Sequence, residues 1–289
     1  MKQTDKKAIA SALKEYCDLK GSQNAAARSI DVSSATISQM LNKQWDLIRD
    51  EMWRKVAGKI GYERRKWTVV RTRGFNRMTD ILTDAKEDSL VFAVTGEAGC
   101  GKSESIKCFA RRNRNVLHLC CNEYWNRKNF MEELLEQLSI VNTGGTVSSM
   151  MRAAIRDIKR RESPLIILDE ADKLSDQVLY FFITLYNQLE DCCGIVLCAT
   201  SFLEKRISKG VSMNRKGFNE IYSRIGRKFI PVEQVNADDV EAICRANGVE
   251  DDGAIERIID GSDYDLRRVR RMVYSEIKRK EAEDEAAAE

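Results

Sequence analysis

Gly96-Glu97-Ala98-Gly99-Cys100-Gly101-Lys102-Ser103 fits the spacing G-x-x-x-x-G-K-[ST] at every fixed position. Each fixed residue has a task in holding a phosphate chain. The glycines permit tight backbone geometry, so that peptide N–H groups can surround phosphate oxygens. A helix beginning at Lys102 adds partial positive charge at its N-terminus. Lys102 is expected to reach the β- and γ-phosphates, and the Ser103 hydroxyl to ligate Mg²⁺. Glu97, Ala98 and Cys100 fill the variable positions and Glu104 follows the motif, so 96–104 is the expected nucleotide-binding run.

Leu165-Ile166-Ile167-Leu168-Asp169-Glu170 is the partner motif. Four apolar residues predict a buried strand with two carboxylates at its carboxyl end, the edge at which open α/β sheets bind ligands. Asp169 is expected in the Mg²⁺ shell. Glu170 is expected to polarise the attacking water, which needs an acceptor beside the γ-phosphate.

Such groups need a sheet to position them. From residue 90 onward the pattern alternates strand and helix. Strands are predicted over 90–95, 115–121, 164–168, 194–200 and 228–232. Helices are predicted over 102–111, 129–138, 147–161 and 176–190. The alternation implies a parallel sheet flanked by helices, and the strand 115–121 is expected between the two motif strands. Helices over 237–247, 253–260 and 266–280 follow as a small lid. The acidic, alanine-rich stretch 281–289 is expected to fray.

With these motifs in this order the chain resembles the AAA+ ATPases. The resemblance implies ATP and Mg²⁺ as cofactors and ATP hydrolysis stimulated by DNA and a partner. Ile195-Val196-Leu197-Cys198-Ala199-Thr200 resembles the sensor-1 strand, with Thr200 the expected polar end and Ser201 its rival. Ser223-Arg224-Ile225-Gly226-Arg227 resembles the region carrying the arginine finger, which completes a neighbouring subunit's site; Arg224 is favoured over Arg227. Asp265-Leu266-Arg267-Arg268 resembles the start of the last lid helix, where Arg267 best fits sensor 2.

The residues before this module have a different character. Helices are predicted over 1–20, over 23–30 with Ser22 as cap, from Ser33 or Ser34 to residue 41 or 42, and over 45–60, ending at Gly61. Residues 23–41 read as helix-turn-helix and resemble the phage repressor type. Ala26 and Ala27 allow close helix approach, Ile30 and Val32 flank the turn, and Ile37 and Leu41 anchor the second helix. Its other face offers Ser34, Thr36, Gln39 and Lys43 to DNA. No arginine for strong guanine readout is present there, so weak or non-specific contact is expected. Trp45 and Trp53 are expected to complete the head's core. Trp125 lies in a loop whose Arg127 and Lys128 either touch DNA or flank an aromatic tucked inward. Lys205, Arg206, Lys209, Arg215 and Lys216 suggest a second basic loop.

Composition sets bounds on these readings. The chain has 289 residues, 43% hydrophobic and 32% charged, which is globular composition of about two domains. The net charge of +3 excludes a uniformly basic coat protein. It conceals a split: residues 1–85 carry 17 Lys+Arg against 10 Asp+Glu, a net +7, and the rest is mildly acidic. No apolar run reaches the length of a membrane helix, the start Met1-Lys2-Gln3-Thr4-Asp5 does not read as a secretory signal, and a cytoplasmic setting is expected. The nine cysteines lack any C-x-x-C, and His118 is the sole histidine. The cysteines are expected as buried small hydrophobes, and His118 as a packed strand residue.

The expected organisation is thus a helix-turn-helix domain over 1–62, a basic connector over 63–78, an α/β nucleotide-binding core over 79–233, a lid over 234–280 and a tail over 281–289. A repressor-type head ahead of a compact AAA+ module with a short lid resembles the family of the phage Mu B transposition protein. That resemblance implies ATP-dependent, largely sequence-independent binding to double-stranded DNA and self-association as a helical filament or ring. It also implies a role in target selection and transposase activation. The alternatives are a replication initiator or helicase loader, and a nucleotide-regulated transcription factor.

Overall fold

The structure, a computed structural model, describes residues 3–60, 62, 67–141 and 144–287. The chain divides after Thr68 into two units. The predicted helix end at residue 61, part of the connector and part of the loop at 142–145 lie outside the described residues.

The amino-terminal unit opens with α1 (Gln3–Leu19), whose Ile9, Leu13 and Cys17 are buried at helical spacing. Ser22 accepts a hydrogen bond from the Ala25 N–H and so caps α2 (Gln23–Ser29). Asp31 turns the chain with φ +55°, and Ser33 rather than Ser34 caps α3 (Ser34–Leu41). Ile37 and Met40 are the fully buried anchors of α3, while Leu41 is only half-buried. The single helix expected over 45–60 is broken. A 3₁₀ turn (Trp45–Leu47) precedes α4 (Asp50–Lys59), with Ile48 and Arg49 extended between them. The break brings the Trp45 ring edge-on to Trp53 at 5.8 Å and lets its indole N–H donate to the Met40 carbonyl at 2.9 Å.

The second unit begins with α5 (Arg73–Glu87), six residues before the predicted start, because Thr72 supplies a side-chain cap to the Phe75 N–H. Residues 73–78 are therefore helix and not connector. The elements then run β1 (Val91–Thr95), α6 (Lys102–Arg112), β2 (Val116–Cys120), α7 (Arg127–Gln137), α8 (Val147–Ile158) and β3 (Leu165–Asp169). They continue with α9 (Asp176–Leu179), α10 (Phe181–Leu189), β4 (Gly194–Ala199), α11 (Ser201–Ser212), α12 (Phe218–Arg224) and β5 (Phe229–Pro231). Three helices close the chain: α13 (Ala237–Ala246), α14 (Asp252–Ser262) and α15 (Leu266–Ala287).

The five strands pair in parallel in the order β2-β3-β4-β1-β5. The strand between the two motif strands is thus β4, not β2 as expected. Burial explains the choice: every residue of β3 and β4 is buried, as central strands require, whereas β2 alternates and forms an edge. Apolar residues on the two faces of the sheet pack into separate cores, one under α7, α8, α10 and α12, the other under α5 and α6.

Two further expectations change. The basic stretch after β4 is not a loop but α11 and α12, and its arginines are committed. Arg206 pairs with Asp176 and donates to the Asp172 and Leu174 carbonyls, and Arg215 meets Asp176 at 2.6 Å. The tail, expected to fray from residue 281, continues α15 to Ala287, where Arg279 bridges Glu276 and Glu283.

Gly194 opens β4 where α5 crosses it; a Cβ there would overlap the Ala85 carbonyl oxygen. Gly194→Ala should therefore destabilise the second unit by about 1–3 kcal/mol, seen as a lowered midpoint in urea denaturation. An unchanged midpoint would show that the contact yields without cost.

Candidate nucleotide-binding site

β1 delivers the loop 96–101 to the carboxyl edge of the sheet, and α6 starts beneath it. Gly99 and Gly101 have φ of +82° and +95°, a region that disfavours any side chain. Lys102 folds back along the loop, donating to the Gly96 carbonyl at 2.7 Å and the Glu97 carbonyl at 3.0 Å. Its ammonium also lies 3.7 Å from the Cys100 sulfur. Glu97 and Ala98 are exposed at the crest of the loop. Glu104, in the first turn of α6, accepts from the Cys108 thiol at 3.9 Å.

β3 delivers Asp169 to the same edge. Its side chain is 1% exposed, and a carboxylate so buried requires partners. Burial raises its pKa, but hydrogen bonds from His118, Ser103 and the Glu170 N–H outweigh this and hold it below the usual aspartate value. The Ser103–Asp169 contact joins the two motifs. Two hard oxygen donors side by side suit Mg²⁺. The glycine cradle and a free-ended lysine suit a phosphate chain. His118 is a site neighbour that the sequence reading missed: its Nε2 lies 3.5 Å from Asp169, long for a hydrogen bond, and it has no other partner. Only the pairing of β2 with β3 reveals that proximity.

Glu170 follows in a left-handed conformation, φ +56°. Its Oε2 is 2.5 Å from the Lys173 ammonium and accepts from the Cys120 thiol at 4.0 Å. The hydrogen bond to Glu170 raises the Lys173 pKa. Burial, followed by the Glu170 and Asp169 charges, raises that of Cys120, so its thiol stays protonated. Thr200 caps α11 and donates to Asp172 at 2.7 Å; Ser201 is already within the helix.

The lid is rooted on the phosphate loop. The Leu266 N–H donates to the Gly99 carbonyl at 3.0 Å, and the Asp265 side chain lies directly over Gly99. Asp265 also accepts from the Arg267 N–H at 2.8 Å, which places Arg267, exposed, in the first turn of α15. Arg224 is engaged within its own chain, donating twice to Asn187 and lying 5.4 Å from the Tyr186 ring centroid. Arg227 is exposed beyond α12, with φ +57°.

Of the expected DNA contacts, Lys43 is exposed just past α3, Ser34 is exposed, Thr36 meets Ser33 at 2.8 Å, and Gln39 is half-buried. Trp125 is the inward aromatic of its loop, 7% exposed and edge-on to Phe130, while Tyr124 is 74% exposed. Arg127 and Lys128 begin α7 beside it; Lys128 is 3.8 Å from Glu132.

Among the described residues no helix is long and apolar enough to cross a membrane. Residues 85–207 match the family model of the AAA domain. No curated protein matches the chain. Among solved structures it is similar to the Orc1 protein of Aeropyrum pernix, solved in complex with DNA, with a TM-score of 0.56 and 17% identity. That similarity covers 75% of this chain and 62% of the Orc1 chain, less than two thirds of its length. Identity this low speaks for the fold alone. Residues 85–207 are an AAA domain, and the chain carries the fold of an AAA+ ATPase.

Proposed function

We propose that the chain is an ATP-hydrolysing, DNA-binding protein that assembles on double-stranded DNA and acts in transposition, selecting target DNA and activating a transposase. The observation that carries the ATPase reading is the contact between Ser103 and the buried Asp169. It brings the phosphate loop and the acidic strand end together as one site.

In this reading the loop amides and Lys102 hold the phosphates. Lys102 must first leave the Gly96 and Glu97 carbonyls it now meets. Ser103 and Asp169 hold Mg²⁺, which neutralises phosphate charge when bound. Glu170 accepts the proton side of the attacking water. Thr200 and Arg267 approach from β4 and the lid. A guanidinium from a neighbouring subunit completes the site. Arg224 can serve only by leaving Asn187, whereas Arg227 is the unencumbered one of the pair.

The transposition reading rests on the order of parts: a separately folded helical head with Ser34, Thr36, Gln39 and Lys43 about α3, ahead of the ATPase unit and a three-helix lid. With no strong base reader on α3, affinity would come from phosphate contacts summed over many subunits, and so fall steeply with salt. A second reading, replication initiator or helicase loader, is favoured by the similarity to Orc1 solved with DNA.

Glu170→Gln should bind ATP with wild-type affinity and lose at least about 100-fold in turnover; full hydrolysis would remove Glu170 from this role. Gly99→Ala, strained at φ +82° and colliding with Asp265, should weaken binding of a fluorescent ATP analogue by roughly tenfold or more. Electron microscopy of the full chain with ATP, with and without duplex DNA, tests assembly. Filaments along DNA are expected; closed rings or monomers would count against the transposition reading. Recovery of a helicase instead of a transposase as partner would select the initiator reading.

A further inference from the structure

We propose that Lys173 is a positioning residue that holds Glu170 turned away from the phosphate loop until nucleotide binding releases it. The inference rests on the reading of Glu170 as the acceptor for the attacking water.

Three observations carry it. First, one oxygen of Glu170, Oε2, takes both printed side-chain contacts: the Lys173 ammonium at 2.5 Å and the Cys120 thiol at 4.0 Å. Second, the sheet order gives these contacts a direction. Cys120 ends β2, which lies on one side of β3 and pairs Cys120 with Asp169. The phosphate loop leaves β1, which lies on the other side of β3 beyond β4. Adjacent strands are about 4.8 Å apart, so the carboxylate is held toward the strand farthest from the loop. Asp169, one residue earlier, makes the opposite choice and bonds to Ser103. The left-handed backbone at Glu170 is what separates the two acids.

Third, Lys173 stands on a fixed base. It ends the 3₁₀ turn Ala171–Lys173. Asp172 in the same turn accepts from Thr200 through its side chain, and from Arg206 through its carbonyl. A ligand that draws Thr200 toward it pulls on the turn that carries Lys173. Occupancy sensed at the end of β4 would in this way loosen the hold on Glu170. In the nucleotide-free chain the same hold keeps the carboxylate from activating stray water.

Lys173→Met keeps side-chain length and removes the charge. The expected result is a basal kcat for ATP hydrolysis raised about two- to fivefold, with KM for ATP unchanged. Lys173→Arg, which retains the charge, should return the rate to the low level. In a Glu170→Gln background Lys173→Met should add nothing. A second readout needs no turnover: amine labelling of the full chain, followed by mass spectrometry. Lys173 should label more slowly in the nucleotide-free protein than in Glu170→Gln, and faster once a non-hydrolysable ATP analogue and Mg²⁺ are added. An unchanged or lower kcat in Lys173→Met, or labelling indifferent to both Glu170→Gln and the analogue, would overturn the inference. Absence of hydrolysis in the wild-type chain would overturn the ATPase reading instead, and the labelling would still decide the fate of Lys173.

Discussion

Burying a carboxylate at the end of a central strand is the constraint on which the rest of the site depends. Asp169 cannot stay charged in that position without donors around it. Three arrive from three places: Ser103 from α6, His118 from β2 and the N–H of Glu170 from the turn that follows β3. Satisfying one side chain therefore fixes the start of α6 against β3, keeps β2 in register along the opposite edge and begins the tight turn after β3. The order of the sheet matters for the same reason. With β4 between β3 and β1, the phosphate loop and the acidic strand end stand apart by one strand, and the long reach of the loop and of α6 closes the gap.

A second acid, Asp176, organises the neighbouring surface in a similar way. It gathers Arg206 and Arg215 from α11 and the turn after it. Two of the five cations in that segment are thereby withdrawn from any role toward a polyanion. Arg215 also lies 5.0 Å from the Phe218 ring centroid, which ties the turn to the start of α12. Positive charge in a sequence is thus a poor guide to positive surface wherever an acid lies within reach in the fold.

What could be read in the sequence was what is local. The loop 96–103, the apolar runs of the five strands and the serine caps at Ser22 and Ser33 each act through neighbours a few residues away. Helix and strand boundaries fell within a few residues for that reason. What could not be read depends on partners distant in the chain. His118 looks like a strand residue until β2 is laid beside β3. Lys173 and Asp172 look like a charged turn until Glu170 and Thr200 are seen against them. Asp265 acquires its place only through Gly99, more than 160 residues earlier. The strand order belongs to the same class, since burial on both faces of β4 is decided by what packs around it. The break before α4 was missed because the pairing of Trp45 with Trp53 overrides a helical pattern that is locally sound.

The root of α15 on the phosphate loop has a mechanical meaning. Leu266 is bonded to Gly99, and twenty-one further helical residues extend from that point. At 1.5 Å per residue such a helix is about 33 Å long. A lever of this length turns small changes at its base into large ones at its end: a tilt of about ten degrees carries the tip roughly 6 Å. Filling or emptying the phosphate loop is thereby coupled to a displacement on the scale of a side chain at the far end of the helix, among its acidic residues Glu281, Glu283 and Asp284. The loop that grips phosphate is also the pivot of the longest helix in the chain.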